Sequence, residues 1–308
     1  MATKSMLLII NPAAGQGNFV PHFYDVVHLL GKNGFEVTPY MTDGPRHAYQ
    51  IALERGSAFD YLVCSGGDGT LNEVVDALML LERRPLLGYI PAGSTNDFAA
   101  THSIPTDVLA AAQAIVEGKT IAVDVGSFQN GFFTYVAAFG LFTDVSYGTP
   151  QSMKNMLGHA AYIMEGVKKL GSLRHWRCRI ELEDEVIEDD FIFGMISNSK
   201  SVGKFKLPAQ MNIQLDDGMF ELLLLRRIQS LEELGNVISV LLGSKKSSLD
   251  ASFVVRATSK ARVVCQSPLS WSVDGEFGGS FHAADIAVHR KAVEIIVPAQ
   301  PQKRKRRD

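Results

Sequence analysis

Only three of the 308 residues are cysteine: Cys64, Cys178 and Cys265. Three cannot build the paired framework of a small secreted domain, so reduced, buried thiols in a reducing compartment are expected. Cys64 closes an apolar run, Tyr61-Leu62-Val63-Cys64, and core packing is its expected task. No window holds 18 consecutive apolar residues, so no membrane-crossing helix is expected. The N-terminal apolar run stops after five residues at Asn11-Pro12, short of a signal peptide, and a cytoplasmic protein is expected. The eight histidines are scattered, without metal spacing and without a serine or cysteine elbow, so a hydrolase triad has no support. The Gly-Lys-Ser/Thr phosphate loop is also missing, which excludes a P-loop kinase.

Basic residues are in short supply on the body of the chain. The formal net charge is −3, yet Gln302 to Asp308 carries five basic residues and one acidic. The remainder is therefore more acidic than the total, which argues against nucleic acid as a partner. Two readings of Lys303, Arg304, Lys305, Arg306 and Arg307 stand side by side: a solvated tail, or an electrostatic contact with an anionic membrane surface.

What is present is a series of strand and helix patterns. In the first 126 residues, strand patterns at Met6–Ile10, Glu36–Tyr40, Tyr61–Ser65, Leu86–Ile90 and Thr120–Val125 alternate with helical spacings. Repeated strand-helix units predict a parallel, doubly wound sheet, whose ligands bind outside the carboxyl ends of the strands. After about Gly126, β-type runs dominate: Phe132–Phe139, Arg177–Leu182, Phe191–Ser197, Met219–Leu225, Phe253–Ala257, Ala261–Cys265 and Leu269–Val273. That pattern predicts an antiparallel sandwich. Helical patterns interrupt it near 152–170 and at Leu231–Leu241, the latter with Ser230 as cap and Gly243 as stop. Ala292–Val297 is a final strand pattern. The expected division is thus an α/β nucleotide-binding domain at 1–127 completed by 286–300, a β domain at 128–285, and a basic tail at 301–308.

The most informative run is Ser65-Gly66-Gly67-Asp68-Gly69-Thr70-Leu71-Asn72-Glu73, at a strand-to-helix turn. Backbone N–H groups at a helix start receive phosphate, and glycines let the chain approach it closely. A carboxylate there repels phosphate unless a cation lies between them, so Asp68 points to metal–nucleotide chemistry. Thr70 and Asn72 suit phosphate binding or capping, and Glu73 suits the helix dipole. Asn11-Pro12-Ala13-Ala14-Gly15 reads either as a phosphate cradle or as an ordinary turn. Pro91 to Phe98 offers hydroxyls and N–H groups at another helix start, with Asp97 as its expected cap. Asp68, Asp97 and Asp124 together suit a hydrated magnesium ion. Gln214 to Met219 reads as an Asp-Gly hairpin turn or as an oxygen-only metal site, and Val273-Asp274-Gly275-Glu276 as a turn or as a general base.

Taken together, these segments resemble the diacylglycerol kinase catalytic family of the soluble bacterial type, in order and spacing from near residue 6 to near residue 297. Ser146 to Pro150, through Gly166, adds to the resemblance; Gln16 and Glu165 depart from the family pattern. The resemblance implies α/β plus β architecture, with an N-terminal domain related to NAD kinase and phosphofructokinase nucleotide domains and a C-terminal β-sandwich. It implies ATP on Asn11, Pro12, Ala13, Ala14, Gly15, Thr42, Gly66, Gly67, Asp68, Gly69, Thr70, Leu71, Asn72 and Ser94. It implies Asp68, Asp97, Asp124 and Asp274 in an acidic network near a catalytic Mg2+. A structural Mg2+ would take the Gln214 and Met219 carbonyls and the Asp217 carboxylate, and Glu276 would be the general base. The implied partners are ATP, a diacylglycerol-type lipid and, transiently, the inner membrane surface; a homodimer is compatible. The rival readings are a kinase for another hydroxylated lipid such as a sphingoid base, an NAD kinase, and an inactive nucleotide- or lipid-binding regulator.

Overall fold

A computed structural model describes residues 3–129, 131–141, 174–199, 201–202, 205–206, 213–241 and 249–299. The predicted helix near 152–170, the 146–166 segment with Glu165, the stop at Gly243 and the basic tail lie outside these residues. The chain divides into two compact units, 1–125 with 290–308, and 126–289.

The first unit alternates strand and helix: β1 (Lys4–Ile10), α1 (Phe23–Lys32), β2 (Phe35–Met41), α2 (His47–Arg55), β3 (Tyr61–Gly66), α3 (Asp68–Leu78), β4 (Leu86–Pro91), α4 (Asp97–His102), α5 (Val108–Glu117) and the start of β5 (Lys119–Phe128). Strands β2, β1, β3 and β4 are neighbours in that order, all parallel. The end of the last strand joins beyond β4 through Ile295 opposite Leu87, also parallel. Met6 to Ile10 is fully buried, as a parallel strand covered on both faces requires. The helices bury one stripe each: α5 buries Val108, Ala111, Ala112 and Ile115, at helical spacing. Its N-terminus is capped by Asp107, whose carboxylate accepts from the Ala110 N–H at 2.8 Å.

Register aligns the strand ends. Ile10 lies opposite Ser65, and Gly66 opposite Pro91. The Thr42 N–H donates to the Ile10 carbonyl at 2.8 Å, the Asn11 N–H to Ser65 and the Ala92 N–H to Gly66. The turns at Asn11, Thr42, Gly66 and Ala92 therefore share one carboxyl edge, as the strand pattern predicts.

The second unit is mainly antiparallel: β6 (Gly131–Phe133), β7 (Val136–Gly140), β8 (Trp176–Glu181), β9 (Val186–Ser197), β10 (Ser201–Val202), β11 (Phe205–Lys206), β12 (Phe220–Arg226), α6 (Leu231–Leu241), β13 (Phe253–Thr258), β14 (Lys260–Val273) and β15 (Glu276–Val297), whose end belongs to the first unit. Strand β7 pairs with β9 and β14, and β8 pairs with the same two, so these four strands close a small barrel. Strands β12 and β13 extend the sheet from β9. The core inside includes Phe133, Phe139, Phe191, Phe220 and Trp271. Helix α6 starts as predicted, with the Ser230 Oγ accepting from the Glu233 N–H at 3.1 Å.

The expectation of unpaired cysteines is corrected by strand register. Cys178 in β8 and Cys265 in β14 are direct cross-strand partners, with Cα atoms 4.5 Å apart, and form a disulfide. That separation is the one typical of a non-hydrogen-bonded antiparallel pair, where side chains approach most closely. Nothing in an 87-residue sequence separation announces such a pairing. Cys64 remains free and buried in β3, and burial pushes its thiol well above the usual range.

Candidate active site

The shared edge of the first unit is held by side chains as well as strands. The Asn11 Nδ2 donates to the Thr70 Oγ1 at 2.9 Å, and the Asn11 Oδ1 accepts from the Ala13 N–H at 3.1 Å. One asparagine thus ties the first turn to the start of α3. Thr70 is buried and engaged in this tie rather than capping its helix; the N-cap is Gly67 and makes no side-chain cap bond. Gly67 and Gly93 pack backbone against backbone, and a Cβ on Gly93 would lie 2.6 Å from the Gly67 Cα. The loop around Gly93 is shaped by Asn96, whose Oδ1 accepts from the Gly93 N–H at 3.0 Å while its Nδ2 donates to the Gly93 carbonyl at 2.9 Å. Asn96 sits at φ 55, a left-handed conformation that asparagine tolerates better than most residues. Its clamp on Gly93 is a detail that the sequence pattern alone did not single out.

Three of the four carboxylates expected near a catalytic cation, Asp68, Asp97 and Asp124, have distinct settings in the first unit. The Asp68 carboxylate accepts from the N–H groups of Asp97 at 3.2 Å and Phe98 at 3.4 Å. It therefore caps α4 from 29 residues away, which corrects the expectation that Asp97 caps its own helix. Asp97 is the first residue of α4 and only 2% exposed. Asp124, equally buried, accepts from the Lys291 N–H at 2.7 Å and so binds the returning chain. Glu73 acts on a neighbour rather than on its own helix: its carboxylate accepts from the N–H groups of Arg46 at 2.8 Å and Tyr49 at 3.4 Å, at the start of α2.

In the second unit, Asp274-Gly275 makes the two-residue turn between β14 and β15, with φ of 47 and 87. Positive φ at both positions is the geometry of the hairpin turn that Asp-Gly favours. The Asp274 carboxylate is 3% exposed and accepts four hydrogen bonds: from the Thr134 N–H and Oγ1 at 2.7 and 2.8 Å, and from the Tyr135 and Val136 N–H groups, both at 3.0 Å. Burial pushes its pKa up, against the pull of these bonds. Asp274 thus pins the hairpin tip to residues 134–136. Glu276 follows the turn, exposed, as the first residue of β15, beside Phe277, which is 57% exposed.

The 214–219 turn stands at the start of β12. The Asp217 Oδ1 accepts from the Met219 N–H at 2.9 Å, and the Leu215 carbonyl accepts from the Asn198 Nδ2 at 3.4 Å. Two residues further, Glu221 occupies a strand position that is only 4% exposed. Burial, then the charge of Asp217, push its pKa up to about 7. Motif spacing does not mark Glu221, although one charge inside Phe220-Glu221-Leu222-Leu223-Leu224-Leu225 is a visible signal.

Among the described residues, no three His, Cys, Asp or Glu side chains converge as a metal cluster. Magnesium keeps several waters and takes few direct protein oxygens, so this does not disqualify it. The donor sets at Asp68, Asp97 and Asp124 and at Asp217 are oxygen-only, which fits that ion. A surface groove of the second unit, lined by Glu181, Lys260, Arg262 and Asp285 among others, holds none of the expected site residues.

Residues 5–128 match the diacylglycerol kinase catalytic domain. A diacylglycerol kinase of Bacillus subtilis (strain 168) is 31% identical over 302 residues, covering 96% of this chain and 97% of the relative. A diacylglycerol kinase of Staphylococcus epidermidis is 32% identical over 297 residues, covering 96% and 92%. The fold is similar to that of a diacylglycerol kinase crystal structure from Bacillus anthracis, with a TM-score of 0.76, 22% identity, and 96% and 98% of the two chains covered. With its glycine turns aligned on one strand edge and its relatives matched across both units, the chain belongs to the diacylglycerol kinase catalytic-domain family.

Proposed function

We propose that this chain is an ATP-dependent lipid kinase that phosphorylates the primary hydroxyl of diacylglycerol to give phosphatidic acid. The observation that carries the reading is the end-to-end similarity to diacylglycerol kinases, with Asp68 and Glu276 both present. In this reading the first unit is a nucleotide domain of the NAD kinase and phosphofructokinase type, and the second is a lipid-binding β-sandwich. The protein works in the cytoplasm and docks transiently on the inner membrane surface. No helix among the described residues is long and apolar enough to cross a membrane, which suits reversible docking.

Phosphoryl transfer depends on positioning and charge neutralisation more than on covalent chemistry. The Asn11–Gly15 and Gly66–Asn72 turns, with Thr42 and Ser94, hold the ATP phosphates. Asp68, Asp97 and Asp124 would hold a magnesium ion, which would supply neutralisation of the phosphate charge. Asp274 positions the hairpin that presents Glu276, and its four hydrogen bonds support that role better than a role as a base. Glu276 accepts the proton of the lipid hydroxyl as that oxygen bonds to the γ-phosphorus of ATP and the bridging P–O bond breaks, releasing ADP. The Gln214 and Met219 carbonyls and the Asp217 carboxylate hold a second, structural magnesium ion.

The test is Glu276→Gln, assayed with labelled ATP, magnesium and a panel of hydroxylated lipids including diacylglycerol. Turnover is expected to fall on the order of 10²–10⁴-fold, with ATP binding and the melting temperature unchanged. Near-normal turnover in a folded variant removes Glu276 as the base, and a wild-type preference for a sphingoid base over diacylglycerol overturns the substrate.

A further inference from the structure

Buried polar groups in native structures have partners, so each exception asks for an explanation. Glu221 is such an exception. Its Oε2 is buried without a hydrogen-bond partner, and the carboxylate makes no ion pair with Lys, Arg or His among the described residues. The strand offers it no escape. Residues β12 places between β9 and β13 have Glu221 opposite Ser197 on one side and Ala257 on the other. Alternation puts Glu221 on the same face as Leu223, which packs with Tyr135, Val136, Met195 and Ile213. That face is apolar, and Ile213 leads the 214–219 turn across it.

The turn brings a second carboxylate. Asp217 commits Oδ1 to the Met219 N–H, and its Oδ2 accepts no hydrogen bond among the described residues. The turn is also tied beside Glu221: the Leu215 carbonyl accepts from Asn198, the residue after Ser197, which lies opposite Glu221 in the β12–β9 pair. Two carboxylates with unused oxygens, one in the turn and one where the chain enters β12, repel each other unless a cation lies between them. Oxygen-only donors of this kind select a hard divalent ion over zinc or copper.

We propose that Glu221 is a direct ligand of the divalent cation held by the 214–219 turn, so that the site is closed by two carboxylates, Asp217 from the turn and Glu221 from strand β12, with carbonyl oxygens of the turn. This rests on the reading of that turn as a cation site and adds the ligand that anchors it to the sheet. The ion then locks a surface turn onto strand β12, which lies between β9 and β13.

Thermal melting of the full chain in increasing Mg2+, after chelation and without nucleotide or lipid, tests both levels. The wild-type melting temperature is expected to rise with a saturable midpoint, and Asp217→Asn to lose that response. Glu221→Gln is expected to shift the midpoint to at least about 10-fold higher Mg2+, the scale on which supporting ligands change metal affinity. An unshifted midpoint in Glu221→Gln, with the response lost in Asp217→Asn, overturns the role of Glu221 and leaves the turn as a site. A response that is absent in wild type, or identical in Asp217→Asn, overturns both. A wild-type crystal soaked in Mn2+ gives the answer even where a variant does not fold. The expected anomalous peak lies within about 2.6 Å of oxygens from both carboxylates; a peak bound by Asp217 alone overturns the proposal.

Discussion

At the scale of single residues, the family's short motifs turn out to be devices for bringing backbone to backbone. Gly93 is one such case, because its nearest neighbour is the Gly67 Cα rather than a side chain that could swing away. Gly93→Ala should therefore displace the Pro91–Asn96 loop from the start of α3. ATP affinity is expected to fall at least about tenfold and stability by roughly 1–3 kcal/mol, the usual cost of overpacking. Calorimetric ATP titration and chemical denaturation measure the two; unchanged ATP binding would mean that the close approach serves packing alone. A second residue carries a pH signature. Asp60 accepts from the Ser5 N–H and Oγ at 3.1 and 2.8 Å and from Arg83 at 2.8 Å. The Ser5 side-chain bond, then its backbone bond, hold the Asp60 carboxyl below the ordinary value of 3.8. A depressed carboxylate contributes stability above its unfolded-state value and loses it as pH falls through the lower folded-state value. Asp60→Asn should thus melt below wild type at neutral pH, with the gap closing in acid beneath that window. Melts from pH 7 downward check this, and a gap that persists unchanged into acid contradicts it.

At the scale of elements, legibility followed burial. Strands β1, β3 and β4 are parallel and covered on both faces, so each reads as a continuous apolar run, and their boundaries came out of the sequence nearly intact. The β unit was less readable because its boundaries depend on distant partners. Phe132 to Phe139 looks like one strand, but the Asp274 carboxylate takes the N–H groups of residues 134–136, and β6 and β7 separate there. Conversely, Ala261–Cys265 and Leu269–Val273 look like two strands. The chain instead runs on as β14, with a register shift between Val264 and Leu269 that accommodates Pro268. The site divides in the same way. The glycine turns announce themselves locally, whereas the Asp68 cap on α4 and the Asn11–Thr70 tie need the fold to bring them together. The disulfide is the extreme case, since only the pairing of β8 with β14 sets Cys178 beside Cys265. Alkylation of the unfolded, non-reduced protein should label Cys64 alone, and all three cysteines after reduction, with mass spectrometry as the readout. Labelling of Cys178 and Cys265 without reductant would mean that the register holds two thiols rather than a bond.

At the scale of the whole molecule, chain order matters more than composition. The β unit is one continuous stretch, 126–289, while the α/β unit is assembled from both ends of the chain. The returning segment is built into that unit's framework. Val293, Ile295, Ile296 and Val297 are buried, Ile295 pairs with Leu87, Arg84 donates to the Ala292 carbonyl at 2.6 Å, and Lys291 donates to Asp124. Without it, β4 becomes an exposed apolar edge, which invites pairing between chains. The fragment 1–125 alone is accordingly expected to aggregate or to lack a cooperative melt. Asp124 and Lys291 are hydrogen-bonded, so residues 125 and 290 lie close enough for a short Gly-Ser linker to join them. Fusing 290–299 to 1–125 through such a linker should restore a soluble monomer with a single thermal transition, followed by circular dichroism and size-exclusion chromatography. A cooperative melt in 1–125 by itself would make the final strand dispensable; failure of the fused fragment as well would mean that the α/β unit takes its stability from the stretch between its two halves.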